Sequence, residues 1–360
     1  MGIVYYEQDR IFKLDTPRTS YLIGVVDEEG FLGHIYYGKK VSGHELGYLL
    51  RTDEPPFVPS RNERDRLSFL DKFPMEYPTH GIGDFREAAL RVRSAAGHKF
   101  CALSYVSHEI FPGKKGIEGL PASFAGEGEC ATLEILCRDE RLGMEVVLSY
   151  SVFEDIDVIA RHVEVANRGA ERIFLEKVSS MSLDMDNRCF EALTLHGSWA
   201  KECHRERRPL GRGYQGVLSR RGISGHQDHP FMALLTPGAS QESGEVYGVQ
   251  LVYSGSYEMR AEVSQFGTVR WQAGLEGEDF CWALEPGERF ASPEALLTYS
   301  DRGLDGMTRS FHDFIRRHIL RGKYKDRKRP ILINNWEATY FDFDTEKLLD
   351  IAREASKLGI

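Results

Sequence analysis

Residues 144–152 read MEVVLSYSV, and their alternation decides the fold. Met144, Val146, Leu148, Tyr150 and Val152 fall on one side of an extended chain, with Glu145, Val147, Ser149 and Ser151 on the other. A period of two with one apolar side predicts a strand buried on one face. LEILC (133–137) precedes it through the charged turn Arg138-Asp139-Glu140-Arg141, and DVIARHVEVANRG (157–169) follows, closing at Asn167-Arg168-Gly169. Three such segments joined by short polar turns predict an antiparallel meander.

The pattern recurs further along the chain. GEVYGVQLVYSG (244–255) sets Tyr247, Val249, Leu251 and Tyr253 on one side and Val246 and Val252 on the other, which predicts burial on both faces. YEMRAEVSQFGTVRWQAG (257–274) reads as a hairpin. So many strands without intervening helices predict stacked antiparallel sheets, larger than a small immunoglobulin-like domain. The texture changes near Ser300. In GLDGMTRSFHDFIRRHI (303–319), Leu304, Met307, Phe311, Phe314, Ile315 and Ile319 recur at helical spacing. The basic run RGKYKDRKR (321–329) reads as a solvated linker, since no aromatic or glycine-rich partners accompany it.

Bulk properties narrow the function. A net charge of −9 with both signs interspersed disfavours a generic nucleic-acid binder and fits a soluble cytoplasmic protein. No apolar run approaches the ~18 residues of a membrane span, and the start MGIVYYEQDR lacks the features of a secretion signal. The six cysteines are scattered without a CxxC pair, as expected of reduced thiols rather than of disulfides or a zinc site.

Five stretches carry residues suited to chemistry. LRTDEPPFVPSRNERDRLSFLD (50–71) combines three prolines with arginines and carboxylates. Stiff charged loops suit polyhydroxylated ligands, although a solvated surface loop has the same composition. In HGSWAKECHRERRPL (196–210), an exposed Trp199 could stack on the C–H face of a sugar, or it could belong to the core. His196, Cys203 and His204 match no standard zinc spacing. SGHQDHP (224–230) holds His226 and His229 around Asp228, a composition compatible with acid–base chemistry but also with a turn feeding the strand FMALL. The Gly-Ile-Gly of YPTHGIGDFREAAL (77–90) lacks a third glycine and a following helix, so it reads as a close approach of Asp84-Phe85-Arg86 to a neighbouring element rather than as a phosphate loop.

The fifth is RPILINNWEATYFDF (329–343), which reads as a short apolar strand at Ile331–Ile333, a polar and aromatic loop, and then a helix over TEKLLDIAREASKLG capped by Asp344 or Thr345 and ended by Gly359. That is how a parallel β/α unit begins, and residues just past a barrel strand line the active face. Trp336 could wall a sugar subsite and Glu337 could be a catalytic acid, but one carboxylate by itself does not run glycoside hydrolysis, which uses two.

Taken together, SFLDKFPMEYPTHGIGDFR, GLPASF, GSWAKECHRERRPL, SRRGISGHQDHPFMALL, GEVYGVQLVYSG and RPILINNWEATYFDF make the chain resemble the bacterial family 36 α-galactosidases of the melibiase type. The resemblance implies a mainly β chain: a large antiparallel β-supersandwich over 1–300, a helical linker over 301–329, and over 330–360 the first unit of a (β/α)8 barrel that is incomplete at Ile360. It implies an activity that releases terminal α-galactose with retention, using two aspartates on later barrel strands. No Lys-Trp-Asp motif and no Asp-Asp-Gly-Trp motif occurs here, so neither catalytic role is assigned within the chain and the 360 residues are expected to be inactive alone. By the same resemblance Asp53 and Arg66 sit on a loop that reaches a neighbouring subunit's site in a homotetramer, Trp199 lines the substrate entrance, and Trp336 walls the galactose subsite. ECHRER after Gly-Ser-Trp and TDEPPF around Asp53 depart from the family pattern, which bears on the leaving group. No cofactor or metal is implied, and the partners are α-galactoside oligosaccharides rather than nucleic acid or membrane. A stand-alone carbohydrate-binding sandwich and an epimerase-like enzyme built on His226 or His229 remain as alternatives.

Overall fold

The computed structural model describes residues 2–26, 29–50, 70 and 72–360. It divides into two compact units, Met1–Ile319 and Leu320–Ile360.

Among the described residues the first unit has twenty strands: β1 (Ile3–Tyr6), β2 (Ile11–Asp15), β3 (Thr19–Val26), β4 (Phe31–Lys39), β5 (Leu90–Ser94), β6 (Ser104–Pro112), β7 (Cys130–Asp139), β8 (Met144–Phe153), β9 (Ile159–Asn167) and β10 (Ile173–Asp186) in its first half. The second half adds β11 (Glu191–Ser198), β12 (Lys201–Pro209), β13 (Gly213–Ser219), β14 (Asp228–Leu235), β15 (Val246–Val252), β16 (Tyr257–Val263), β17 (Thr268–Leu275), β18 (Trp282–Leu284), β19 (Arg289–Ala291) and β20 (Glu294–Ser300). They form a four-stranded meander β1-β2-β3-β4, a six-stranded sheet centred on β10, and a ten-stranded sheet ordered β12-β11-β14-β15-β20-β9-β8-β7-β6, with β19 beside β9. Every ladder between the strands is antiparallel.

The alternation that opened the sequence reading is realised in β8. Met144, Val146, Leu148, Tyr150 and Val152 enter one continuous core together with Phe12 and Ile23 of the meander and with Leu175, Met181 and Trp271 of the six-stranded sheet. β7, β8 and β9 are the meander the turns called for, and β16 and β17 are the expected hairpin.

β15 is buried on both faces. Tyr247, Val249 and Leu251 join the sandwich core. Val246 joins a second cluster with Met307, Phe311 and Phe314 of helix α1 (Gly303–Phe314). Gly248 makes this packing possible: a Cβ there would lie 2.7 Å from Met307 Sδ and 2.8 Å from a Phe311 ring atom. The helix continues into a π turn at Ile315–Ile319, whose buried His318 is tied to Phe124 by a backbone bond of 2.9 Å. The sandwich unit therefore includes this helix, and its boundary falls within the 301–329 segment.

In the second unit, α2 (Trp336–Thr339) and α3 (Thr345–Lys357) are helical, and neither contains a buried residue. Asp344 caps α3, its side chain accepting from the Lys347 amide at 2.9 Å, and Gly359 follows with φ +82°. The strand expected at Ile331–Ile333 is not formed; these residues are irregular and exposed. A strand exists by exchanging hydrogen bonds with a neighbour, and no described segment forms a ladder with this one, so its apolar sequence alone does not make it a strand.

Candidate functional site

The aromatic loop of the second unit is held by local bonds. Asn334 Oδ1 accepts from the Trp336 amide at 2.8 Å, and Asn335 Nδ2 donates to Thr339 Oγ1 at 3.0 Å. The two asparagines thus pin the first turn of α2, as side chains that bond nearby backbone do at helix starts. Trp336 meets Tyr340 and Phe341 edge-on, at ring separations of 5.6 and 4.8 Å. Trp336 remains 43% exposed. The Tyr340 hydroxyl donates to Glu337 at 3.2 Å. Tyr340 itself has φ 47° and ψ −121°, a region bulky residues avoid, so this aromatic cluster is assembled against backbone strain. Asn335 and Trp336 lie in this unit and not in the sandwich core.

In the sandwich unit, Trp199 stands at the tip of the β11–β12 hairpin, 83% exposed. The open reading of Trp199 is therefore resolved against a core position. Gly197 sits at the register shift below the tip; a Cβ there would lie 2.5 Å from Lys201 O and 2.8 Å from His226 O. Its amide donates to Gln227 O at 3.0 Å. Glycine is required for that close approach, which anchors the hairpin base to the 226–227 segment and leaves the indole projecting. All nine residues of β12 are exposed, several of them basic, as suits an edge strand guarded against pairing.

The histidines of the 224–230 segment do not form an acid–base site. Asp228 accepts from His196 Nδ1 at 2.7 Å, and His196 Nε2 lies 2.6 Å from Thr194 Oγ1. His229 faces the Cys203 thiol at 3.5 Å. Neither His226 nor His229 pairs with a carboxylate among the described residues, and no group of three metal-ligating side chains is found among them. Asp228 begins β14, so the segment is the turn into FMALL. Asp53 and Arg66 lie outside the described residues.

The glycines of Gly-Ile-Gly behave as read: Gly81 and Gly83 have φ of +96° and +98°. What they deliver is an ion network that sequence reasoning missed. Arg86 clamps Asp84 at 2.9 and 3.0 Å, and Arg270 bridges Asp84 and Asp184 at 2.7 Å each. Burial opposes ionisation of Asp184, but Arg270 and Arg86 beside it hold its carboxyl below the ordinary range. Between two buried neighbours, Phe85 is turned out and 88% exposed. A second network centres on Glu76, which accepts from the Tyr21 and Tyr150 hydroxyls at 2.7 Å each and pairs with Arg161 at 2.7 Å. A signal for this one was present: Arg161 shares the core-facing alternation of Ile159, Val163 and Val165.

Each unit thus exposes an aromatic side chain of the kind that stacks on sugar rings, Trp199 at a hairpin tip in the first and Trp336 at a helix start in the second. Comparison with known proteins places the chain. Residues 30–285 match the glycosyl hydrolase family 36 N-terminal domain, and residues 289–360 match the melibiase family. The chain belongs to glycosyl hydrolase family 36. It is 42% identical to α-galactosidase AgaA of Geobacillus stearothermophilus over 100% of this chain and 49% of that one. It is 41% identical to the bifunctional α-galactosidase/sucrose kinase AgaSK of Mediterraneibacter gnavus, over 100% of this chain and 38% of that one. Among solved structures, AgaB of G. stearothermophilus superposes with a TM-score of 0.94 at 43% identity, covering 100% of this chain and 49% of that one. An AgaA variant solved with raffinose gives a TM-score of 0.93 at 42% identity, with 97% and 48% covered. The chain thus spans about half the length, or less, of the curated relatives it matches.

Proposed function

We propose that this chain is the N-terminal half of a retaining α-galactosidase that releases terminal α-galactose from melibiose- and raffinose-type oligosaccharides. The observation that carries the reading is the match along the whole chain to enzymes named α-galactosidases, at about 40% identity. Solved relatives hold raffinose and stachyose, which supports the substrate class. In this reading the second unit opens a (β/α)8 barrel, and Trp336 walls the galactose subsite. Trp199, held clear of the sandwich, lines the substrate entrance. Asp53 and Arg66 reach the site of a neighbouring subunit in a cytoplasmic homotetramer. No helix is long and apolar enough to cross a membrane among the described residues.

Retention requires two carboxylates about 5 Å apart, and in this reading both stand on barrel strands later than the one this chain opens. A polypeptide of these 360 residues is therefore expected to show no turnover of an aryl α-galactoside. Joining it to the second half of a close relative should restore hydrolysis. Turnover by the 360 residues at the rate of whole relatives, or an active hybrid indifferent to α-galactosides, would overturn the assignment.

A further inference from the structure

A cleft of about 330 Å³ opens in the sandwich at the end of β10, beside β4 and the β16–β17 turn. Two buried polar atoms in its walls have no hydrogen-bond partner among the described residues: Nε2 of His34 and Nη1 of Arg86. Both side chains are more than nine-tenths buried. His34 sets Nδ1 against the Glu76 carboxylate at 3.1 Å, so Nδ1 carries a proton, and in the neutral ring Nε2 is then an acceptor. Arg86 spends Nε and Nη2 on Asp84 and on the carbonyls of Leu70 and Phe73. Its Nη1 lies 3.3 Å from Asp184, near enough for ionic attraction but not placed as a hydrogen bond. One buried donor and one buried acceptor left open are a cost the fold carries unless a bound molecule or water relieves it.

The surroundings select among ligands. Arg86 and Arg270 share Asp84 and Asp184, and Arg188 at the rim is paired with Glu245. Asp186 adds a carboxylate to the same rim and Lys72 an ammonium, so once the partners behind the lining are counted the charges around the cleft cancel and leave no excess of positive charge to hold an anion. Phe190 and Phe266 supply apolar faces. A group that both donates and accepts, on a ring with an apolar C–H face, satisfies all of these at once; hydroxyls on a sugar ring do so. The volume is at the small end of ligand pockets, room for one ring and not for an oligosaccharide.

We propose that this cleft binds a single neutral hexose unit, with His34 and Arg86 at its floor, Asp186 and Arg188 at its rim and Phe266 against the ring. Binding here does not depend on the galactosidase assignment. The probe is D-galactose added to the whole 360-residue chain, followed by ligand-detected NMR and by a crystal structure of the soaked protein. Saturable binding with sugar density in the cleft is expected. Phe266→Ala, in an exposed turn, and Asp186→Asn, on the surface, should each weaken it by about tenfold or more. Absence of binding, density for water alone in the cleft, affinity unchanged in both variants, or displacement of the sugar by inorganic phosphate would each overturn the proposal. Because the readout is binding without turnover, its failure leaves the α-galactosidase reading standing, and a silent aryl-galactoside assay leaves this one standing.

Discussion

The two units treat polarity in opposite ways. In the sandwich, full charges go inside: Glu76, Arg161, Asp184 and Arg270 are all nearly inaccessible and are met by partners at 2.7–2.8 Å. In the second unit apolar side chains go outside: Ile331, Leu332, Phe341 and Leu358 are exposed, and α3 carries Leu348 and Leu349 on a helix with no buried residue. The first unit has enough stacked sheet to bury charge and still close a core around it. The second unit has one short and one longer helix and no strand among the described residues, and a layer buries its apolar face only against another layer. The difference teaches that the amount of surrounding sheet decides what is buried: the sandwich meets its buried charges with close partners of opposite sign, while the second unit leaves apolar and aromatic side chains exposed.

The strongest way to break that contrast is to remove a partner inside the sandwich. Glu76→Gln keeps the shape but leaves Arg161 buried without a carboxylate, and deleting one member of a buried pair costs about 3–5 kcal/mol. Urea unfolding of the variant should show a midpoint lowered accordingly, with the slope unchanged. A loss below about 1 kcal/mol, as for exposed pairs, would mean that water reaches the network.

Acid provides a graded version of the same test. Burial opposes ionisation of Glu76, but Arg161 and the His34 bond outweigh it and hold the carboxyl below its ordinary value; Asp184 is held low by Arg270 and Arg86. A carboxylate with a depressed folded value contributes stability that is fully present above its unfolded value, about 4, and is lost as the pH falls through the folded one. The urea midpoint should therefore drop as pH is lowered below about 4, and it should drop less steeply in Glu76→Gln. Equal acid slopes in the two proteins would remove Glu76 from the account.

How much of this could be read in advance differs by unit. Alternation in 144–152 located β8 and its core face because half-buried strands impose a period of two. Val246 and Val252 against Tyr247 and Val249 foretold the two-sided burial of β15, although the helix that covers its second face was not assigned to it. Arg161 could have been placed in the core from its alternation with Ile159, Val163 and Val165, but its partner could not, and Arg270 carried no such signal: Glu76, Asp84 and Asp184 lie far away in sequence and meet these arginines only in the fold. Trp199 was legible as a residue type but not as a hairpin tip, since its exposure depends on the close approach at Gly197. Ile331–Ile333 shows the reverse failure: an apolar run states what a segment can bury, whereas a strand also needs an edge to pair with.

The smallest expected effect lies on α3. If the sandwich is stable by itself, substitutions on the exposed helix should not register in its unfolding. Leu349→Ser removes apolar surface from a residue that is 47% exposed and has no buried neighbour on its own helix, so the thermal midpoint of the sandwich should move by no more than surface changes do, within about 0.5 kcal/mol. Hydrogen exchange would sharpen the comparison, because amides of α3 should exchange through local opening while those of β8 and β10 wait for global unfolding. Shared protection of α3 and β8, or a midpoint shift for Leu349→Ser near that of Glu76→Gln, would show that the two regions unfold as one body.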